Sequence, residues 1–222
     1  MTLETYKRIV DSATILSGVA AILCLYKFSK RSLEIKFQTI GFLAVVIPFV
    51  YVEIYFPSAQ IRNYIITGIV LPMAASPLLM FDAAWRGRYR TVTIISAILI
   101  SAFAIWNFLF GQQANFNSNT HVVASVFVIL HCVMFYYYLL TALPVQKLDS
   151  LPMFWFTAGY LIYSGGGLFI FAAFVVDVFR NSLLLYWGIQ NGLKSVSLLL
   201  IIVGLCLDIR NLRLKTSSPT VQ

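Results

Sequence analysis

Residues 186–205 read YWGIQNGLKSVSLLLIIVGL, a run that contains a single charged residue, Lys194. A helix rises about 1.5 Å per residue, so a helix that crosses a bilayer needs roughly 20 mainly apolar residues. This run meets that requirement and predicts a transmembrane helix. If the helix begins near Ser182, Lys194 lies about 18 Å along it, near the middle of the membrane.

The whole chain has the composition of a membrane protein. Of its 222 residues, 60% are apolar and 11% are charged, and the mean hydropathy is +0.85. Soluble domains are nearer half apolar and about a quarter charged. This composition excludes a soluble enzyme, a disordered chain and a collagen-like repeat.

The formal charge of +8 could indicate a nucleic-acid partner. In a membrane protein, however, a basic excess serves orientation and contact with anionic headgroups, so we expect the lipid bilayer and no nucleic acid as partner. Cys24, Cys132 and Cys206 all lie in apolar runs, which predicts packing residues and no disulfide framework.

The same length criterion, applied along the chain, predicts an all-α, polytopic, seven-helix transmembrane bundle. One domain covers 1–212, and a short polar tail covers 213–222. The stretch LCLYKFS over 23–29 has no small-x-small cleavage pattern, so we expect the first span to be retained. The predicted spans lie near 8–28, 37–56, 61–84, 91–110, 121–144, 151–176 and 182–207.

The basic residues between these spans predict the orientation. Cytoplasmic loops carry an excess of Lys and Arg. Seven spans divide these residues into eleven on one side and four on the other, which predicts an exterior N-terminus, a cytoplasmic C-terminus and a location in the plasma or inner membrane. The eleven are Lys27, Lys30, Arg31, Lys36, Arg86, Arg88, Arg90, Lys147, Arg210, Arg213 and Lys215, and the four are Lys7, Arg8, Arg62 and Arg180.

Lys194 is the strongest candidate for a binding residue, because an ionisable group at this depth is costly. Gln190, Lys194 and Ser197 share one helical face, with Asn191 and Trp187 beside it. A face this polar is expected to point into the bundle and to bind a ligand. The alternative is a structural lysine, neutralised by burial or paired with a carboxylate.

Other polar residues complete a predicted outward-facing cavity. Asp11 or Glu53 is the expected counter-charge for Lys194, since an unpaired buried ammonium is unfavourable. The expected hydrogen-bonding residues are Asn107, His131, Tyr160 and Tyr163, with Gln190 and Asn191. The alternative is that the two acids mark the water interface, that His131 is a structural residue and that the two tyrosines pack against neighbouring helices.

The segment 85–90, WRGRYR, follows Asp82 at the predicted inner end of the third span. Arg86, Arg88 and Arg90 form a compact cluster that suits docking of a cytoplasmic signalling protein. The simpler interpretation is an interfacial anchor that contributes to orientation.

Motifs of enzymes are absent from the sequence. It has no HExxH, no paired His/Cys metal spacing, no glycine-rich phosphate loop and no GxSxG. We therefore expect no enzyme, no metal and no cofactor, with retinal as the one alternative.

That alternative comes from a resemblance. Seven helices, an exterior N-terminus and a lysine in the last helix resemble a rhodopsin, in which the lysine forms a Schiff base with retinal. The resemblance implies this role for Lys194. It departs at Gln190, where microbial rhodopsins usually have an acid, and in the third span, which has no carboxylate before Asp82.

A second resemblance covers more of the chain. FWFTAGYLIYSGGGLFIF (154–171) and the quoted run 186–205 are similar to small seven-helix membrane proteins of bacteria, of the Bacteroidetes type. The resemblance implies a sensory protein whose partners are sensor kinases or regulators. It departs in the seventh helix, where variants with His rather than Lys are expected.

The sequence thus predicts a receptor-like or sensory membrane protein that binds an unknown small molecule or a proton and signals to a cytoplasmic partner. The alternatives are a transporter that uses Lys194 and His131, and a retinal-binding protein. A homo-oligomer is left open.

Overall fold

A computed structural model describes residues 2–55, 74–110, 118–142, 147–175 and 183–217. These residues form seven α-helices and two short 3-10 helices, Phe28–Lys30 and Leu148–Ser150, and no strand occurs among them. The predicted all-α class is therefore confirmed. The helices are α1 (Leu3–Leu25), α2 (Leu33–Tyr55), α3 (Ala74–Ala84 in its described part), α4 (Arg90–Phe110), α5 (Ser118–Ala142), α6 (Pro152–Val175) and α7 (Leu183–Ser217).

Five of the helices are long and apolar enough to cross a bilayer, which indicates a membrane protein. The predicted third span, 61–84, is described only from residue 74 onward, and most of the predicted loop 111–120 also lies outside the described residues. The count of seven spans stays a prediction. The five candidate spans are Glu4–Leu25, Arg90–Asn107, Asn119–Thr141, Pro152–Ile170 and Leu185–Leu214.

The first helix has clear signals at both ends. Thr2 caps its start, because the hydroxyl oxygen of Thr2 accepts a hydrogen bond from the backbone N–H of Thr5 at 3.2 Å. Glu4 lies in the first turn, where a negative charge is favourable. The helix ends at Leu25, and Lys27 then adopts a left-handed conformation that turns the chain toward α2.

Small residues bring α6 and α7 into close contact. A Cβ atom added at Gly159 would lie 2.9 Å from the carbonyl oxygen of Ser197, and one added at Gly204 would lie 2.9 Å from that of Pro152. Real Cβ atoms do not approach other atoms so closely, so these two glycines allow the helix backbones to pack against each other. The pairing is antiparallel, because Gly159 on α6 meets the middle of α7 and Pro152 meets its later part.

The main apolar core lies toward one end of the bundle. It joins the end of α3 to the later half of α5 and the start of α6, with Trp85, Phe135 and Phe156 among its largest buried side chains. The exposed arginines between α3 and α4 lie at this same end. We call it the basic end and define it by Lys27, Lys30, Arg86, Arg88, Arg90, Lys147, Arg210 and Arg213.

A buried ion pair ties α1 to α7 at the basic end. The side chain of Arg31 is fully buried, and its Nη1 lies 3.3 Å from Oδ2 of Asp208. The same guanidinium donates hydrogen bonds to the backbone oxygens of Tyr26, at 2.9 Å, and Leu23, at 2.5 Å. These carbonyls lie at the end of α1, where no further helical turn satisfies them. Arg31, predicted only as an orienting loop charge, is thus a structural residue.

The last helix is longer than the predicted span 182–207. It has 35 residues and therefore measures about 52 Å, whereas the hydrocarbon layer of a bilayer is about 30 Å thick. Part of the predicted polar tail, up to Ser217, continues this helix. Asp208 and the residues after it thus extend the helix at the basic end.

We predict that breaking the Arg31–Asp208 pair destabilises the fold. Asp208→Asn leaves a buried guanidinium without its counter-charge, and removal of one partner of a buried pair costs about 3–5 kcal/mol. Thermal unfolding in detergent should show a lower Tm for this variant. Arg31→Met with Asp208→Leu removes both charges but also the bonds from Arg31 to Tyr26 and Leu23, so it should recover only part of the loss. A double variant that is less stable than Asp208→Asn would contradict this account.

Candidate functional site

A polar patch lies between α6 and α7, on the faces that pack together. The amide Nε2 of Gln190 donates a hydrogen bond to the hydroxyl of Tyr163 at 3.2 Å. Gln190 is only 7% exposed, and its Oε1 has no hydrogen-bond partner among the described residues. Buried amide oxygens are normally satisfied, so this atom is an acceptor available to a donor that enters the patch.

Lys194 lies one helical turn after Gln190 on the same face of α7, and Ser197 follows it. The side chain of Lys194 is partly buried, and Ser197 is buried against α6 beside Gly159. The predicted polar face of Gln190, Lys194 and Ser197 is therefore turned toward the bundle. We call Tyr163, Gln190 and Lys194 the α6–α7 patch.

The two flanking residues of the prediction lie beside this patch. Asn191 donates from Nδ2 to the backbone oxygen of Trp187 at 2.8 Å, one turn earlier in its own helix. The hydroxyl of Ser195 in turn donates to the backbone oxygen of Asn191 at 2.9 Å. These bonds within α7 leave Gln190 as the amide that bonds to α6.

Tyr160 belongs to a different polar cluster. Its hydroxyl donates to Oε1 of Gln38 on α2 at 2.5 Å, and Ser76 of α3 lies beside the same hydroxyl. Gln38 is fully buried, and its Nε2 has no hydrogen-bond partner among the described residues. Tyr160 and Tyr163 are three residues apart on α6 but face different helices. Three residues turn a helix by about 300°, which is about 60° short of a full turn, so the two side chains point in different directions.

His131 is fully buried toward the basic end. Its Nδ1 lies 2.9 Å from the backbone oxygen of Phe127 one turn earlier, and its ring stacks on that of Trp85 with 5.7 Å between centroids. Phe81 lies beside both rings. The structure thus surrounds His131 with aromatic side chains and does not bring it to the α6–α7 patch.

Asn107 joins α4 to α5. Its Nδ2 donates to the hydroxyl of Thr120 at 3.2 Å, and both side chains are buried. His121, the next residue on α5, is also buried. The interaction of Asn107 with Thr120 holds two helices together, and neither helix contributes a residue to the α6–α7 patch.

The pairing of Lys194 with either expected counter-charge stays a prediction. Asp11 is exposed on α1. The reason is the rotation of α1: its buried face consists of Ala13, Ser17, Ala20 and Cys24, and Asp11 points away from that face. Glu53 lies in α2, but its side chain is outside the described residues.

The arginine cluster forms the tight turn between α3 and α4. Arg86 and Gly87 both have positive φ angles, 52° and 76°, which reverse the chain within a few residues. Arg86, Arg88 and Arg90 are all exposed. Nε of Arg90 lies 3.8 Å from Oδ2 of Asp82, a surface pair that contributes little to stability.

Sequence reasoning missed polar residues that join one helix to another, among them Gln38, Asp208 and Thr120. A signal existed for Asp208, because an acid so close to the apolar run LLLIIVGLCL requires a partner. Gln38 lies near the predicted start of a span, where an amide is ordinary. The tertiary fold makes it a buried residue and brings Tyr160 of α6 against it.

The α6–α7 patch is a small site that brings three hydrogen-bonding groups together. It offers the amine of Lys194, the phenol of Tyr163 and an amide oxygen of Gln190 with no hydrogen-bond partner among the described residues, and these groups suit a ligand with an anionic or carbonyl group and a donor. No group of His, Cys, Asp and Glu suited to a metal ion occurs among the described residues.

Comparison with protein-family models, with curated proteins and with solved structures finds no match to the chain.

We predict that the Tyr163–Gln190 bond stabilises the α6–α7 pair. Tyr163→Phe removes the partner of the buried Nε2 while Oε1 is already unsatisfied, and an unsatisfied buried group costs about 1–3 kcal/mol. Unfolding in detergent should therefore show a lower Tm. Gln190→Leu in the Tyr163→Phe background should restore stability. If the loss of stability in the double variant equals the sum of the losses in Tyr163→Phe and Gln190→Leu alone, the hydrogen bond does not stabilise the packing of α6 on α7.

Proposed function

We propose that the chain is a receptor-like or sensory membrane protein whose ligand binds at the α6–α7 patch. One observation supports this most: a lysine, an amide and a phenol lie together on the packed faces of two otherwise apolar helices. Polar and ionisable side chains are costly at such positions and commonly mark binding sites or ion paths. The ligand is a small molecule or a proton.

We further propose that the chain has seven spans, with the N-terminus outside and the basic end in the cytoplasm. The clustering of exposed Lys and Arg at the basic end supports this orientation. At the opposite end, the described basic residues are Lys7 and Arg8, both near the start of α1. This orientation gives a location in the plasma or inner membrane.

In this proposal α7 carries the signal. About 21 Å of continuous helix separates Lys194 from Asp208, so a shift of α7 at the patch is passed to the basic end. There α7 meets Arg31 and, through it, the end of α1. A cytoplasmic signalling protein would detect the change at the exposed cluster of Arg86, Arg88 and Arg90.

The proposal predicts a ligand-dependent melting temperature that requires Lys194. Purified protein is melted with small carboxylates, lipids and retinal, beside Lys194→Met. A ligand that binds only the folded state stabilises it by about 2.7 kcal/mol at a hundredfold excess over Kd. We expect at least one compound to raise the Tm of the parent protein and to leave Lys194→Met unchanged.

The control is Lys147→Met, because Lys147 is exposed at the basic end and lies outside the patch. It should retain the ligand response. A visible absorption band with retinal, lost in Lys194→Met, would instead indicate a Schiff base, and accumulation of a solute in proteoliposomes would indicate a transporter. A response that survives Lys194→Met would refute the proposed site.

A further inference from the structure

The exposed face of α1 has an unusual composition for a helix that can cross a membrane. Six exposed residues recur at alternating intervals of four and three, which places them in one line along the helix. Exposed apolar side chains suit a lipid environment, but this line also carries charges and a glycine. We call it the α1 seam, and it consists of Glu4, Arg8, Asp11, Ile15, Gly18 and Ile22.

Asp11 is the first feature that lipid alone does not explain. It lies seven residues, or about 10 Å, from Glu4 within the candidate span Glu4–Leu25. Charged residues in spanning helices rarely face lipid and almost always face protein or water. Its exposure on this helix therefore requires water or another protein surface at this level of the seam.

Gly18 is the second feature. A Cβ atom added at Gly18 would meet nothing within 4 Å, unlike one added at Gly159 or Gly204. The fold of a single chain thus has no steric need for glycine here, although glycine weakens a helix by about 1 kcal/mol relative to alanine. A small residue in the middle of an exposed seam is what close approach of a second helix requires.

The charges of the seam identify the second helix. Two copies of the chain insert into a membrane in the same direction, so their α1 helices would meet in parallel. Arg8 lies between Glu4 and Asp11 on the seam and already contacts Glu4 of its own helix at 2.6 Å. In a parallel pair, its long side chain reaches Asp11 of the second copy, about 4.5 Å deeper along the axis.

We propose that the α1 seam is a homodimer interface, in which two α1 helices pack in parallel around Gly18. The Arg8–Asp11 pairs form between the copies, and Ile15 and Ile22 pack against their counterparts. This interface is separate from the α6–α7 patch and from the basic end. The buried face of α1 continues to pack within its own chain.

Helix α5 provides a matched comparison. Its exposed residues Val126, Leu130, Val133, Tyr137 and Leu140 follow the same alternating spacing, but they carry neither a charge nor a glycine. Lipid tails are as apolar as such a stripe, so the stripe has no tendency of its own to associate. A test that distinguishes α1 from α5 therefore separates a specific interface from chance encounters.

Disulfide cross-linking tests the interface. The starting protein carries Cys206→Ser, since Cys24 and Cys132 are buried and Cys206 is exposed. Ile15→Cys, Ile22→Cys and Val133→Cys are introduced singly, and each protein is oxidised in native membranes and in liposomes at a low protein-to-lipid ratio. Disulfides require Cα atoms within about 7 Å, so only a close helix pair should react.

We expect cross-linked dimers for Ile15→Cys and Ile22→Cys and little product for Val133→Cys. Adding Gly18→Leu should reduce cross-linking of Ile22→Cys to the level of Val133→Cys, without lowering the Tm in detergent, because a Cβ atom added at Gly18 meets nothing within 4 Å. Arg8→Glu should weaken the product, and Arg8→Glu with Asp11→Arg should restore it.

Three results would overturn the proposal. The first is equal cross-linking of all three cysteine variants, which would reflect random collisions. The second is undiminished cross-linking with Gly18→Leu. The third is a product in native membranes whose mass is not twice that of the chain and that is absent from liposomes, because the seam would then bind a different protein.

Discussion

The close approach of α6 and α7 is the constraint on which the arrangement of polar residues depends. Gly159 and Gly204 let the two backbones come together, and this contact places Gln190 within hydrogen-bonding distance of Tyr163. Larger side chains at these glycines would separate the helices by more than a hydrogen bond can bridge. The same contact turns the face that holds Lys194 toward the bundle.

The buried polar groups divide into levels along the bundle. The α6–α7 patch lies in the part of α7 before its midpoint, whereas the Arg31–Asp208 pair lies near the end of that helix. At each level a polar side chain bonds across to a neighbouring helix, Gln190 to Tyr163 and Arg31 to Asp208, because a bilayer offers no water to satisfy it. The long helix α7 connects the two levels without a break.

The two sides of α1 show how one helix can serve two different contacts. Its buried side carries only small residues, Ala13, Ser17, Ala20 and Cys24, which allow close packing within the chain. Its opposite side carries the α1 seam, where three charged residues are followed by Ile15, Gly18 and Ile22. Asp11, an expected counter-charge for Lys194, lies on this exposed side because of the rotation of α1.

Much of the fold could be predicted because hydropathy is a local property of the chain. The run 186–205 was predicted as a membrane helix from its own residues, and α7 includes all of it. The inward direction of Gln190 followed from the same local pattern. The partner of Gln190 did not, because nothing in the spacing of Tyr160 and Tyr163 says which of them faces α7.

By itself, the sequence determined that the chain is helical, that its helices suit a membrane and that its polar residues are few. The tertiary structure decided which of these residues meet. Tyr160 bonds to Gln38, 122 positions away in sequence, and Arg31 pairs with Asp208 near the other end of the chain. Such pairings depend on how each helix is rotated about its axis and on which helices become neighbours, and both are set by packing over the whole chain rather than by any local pattern.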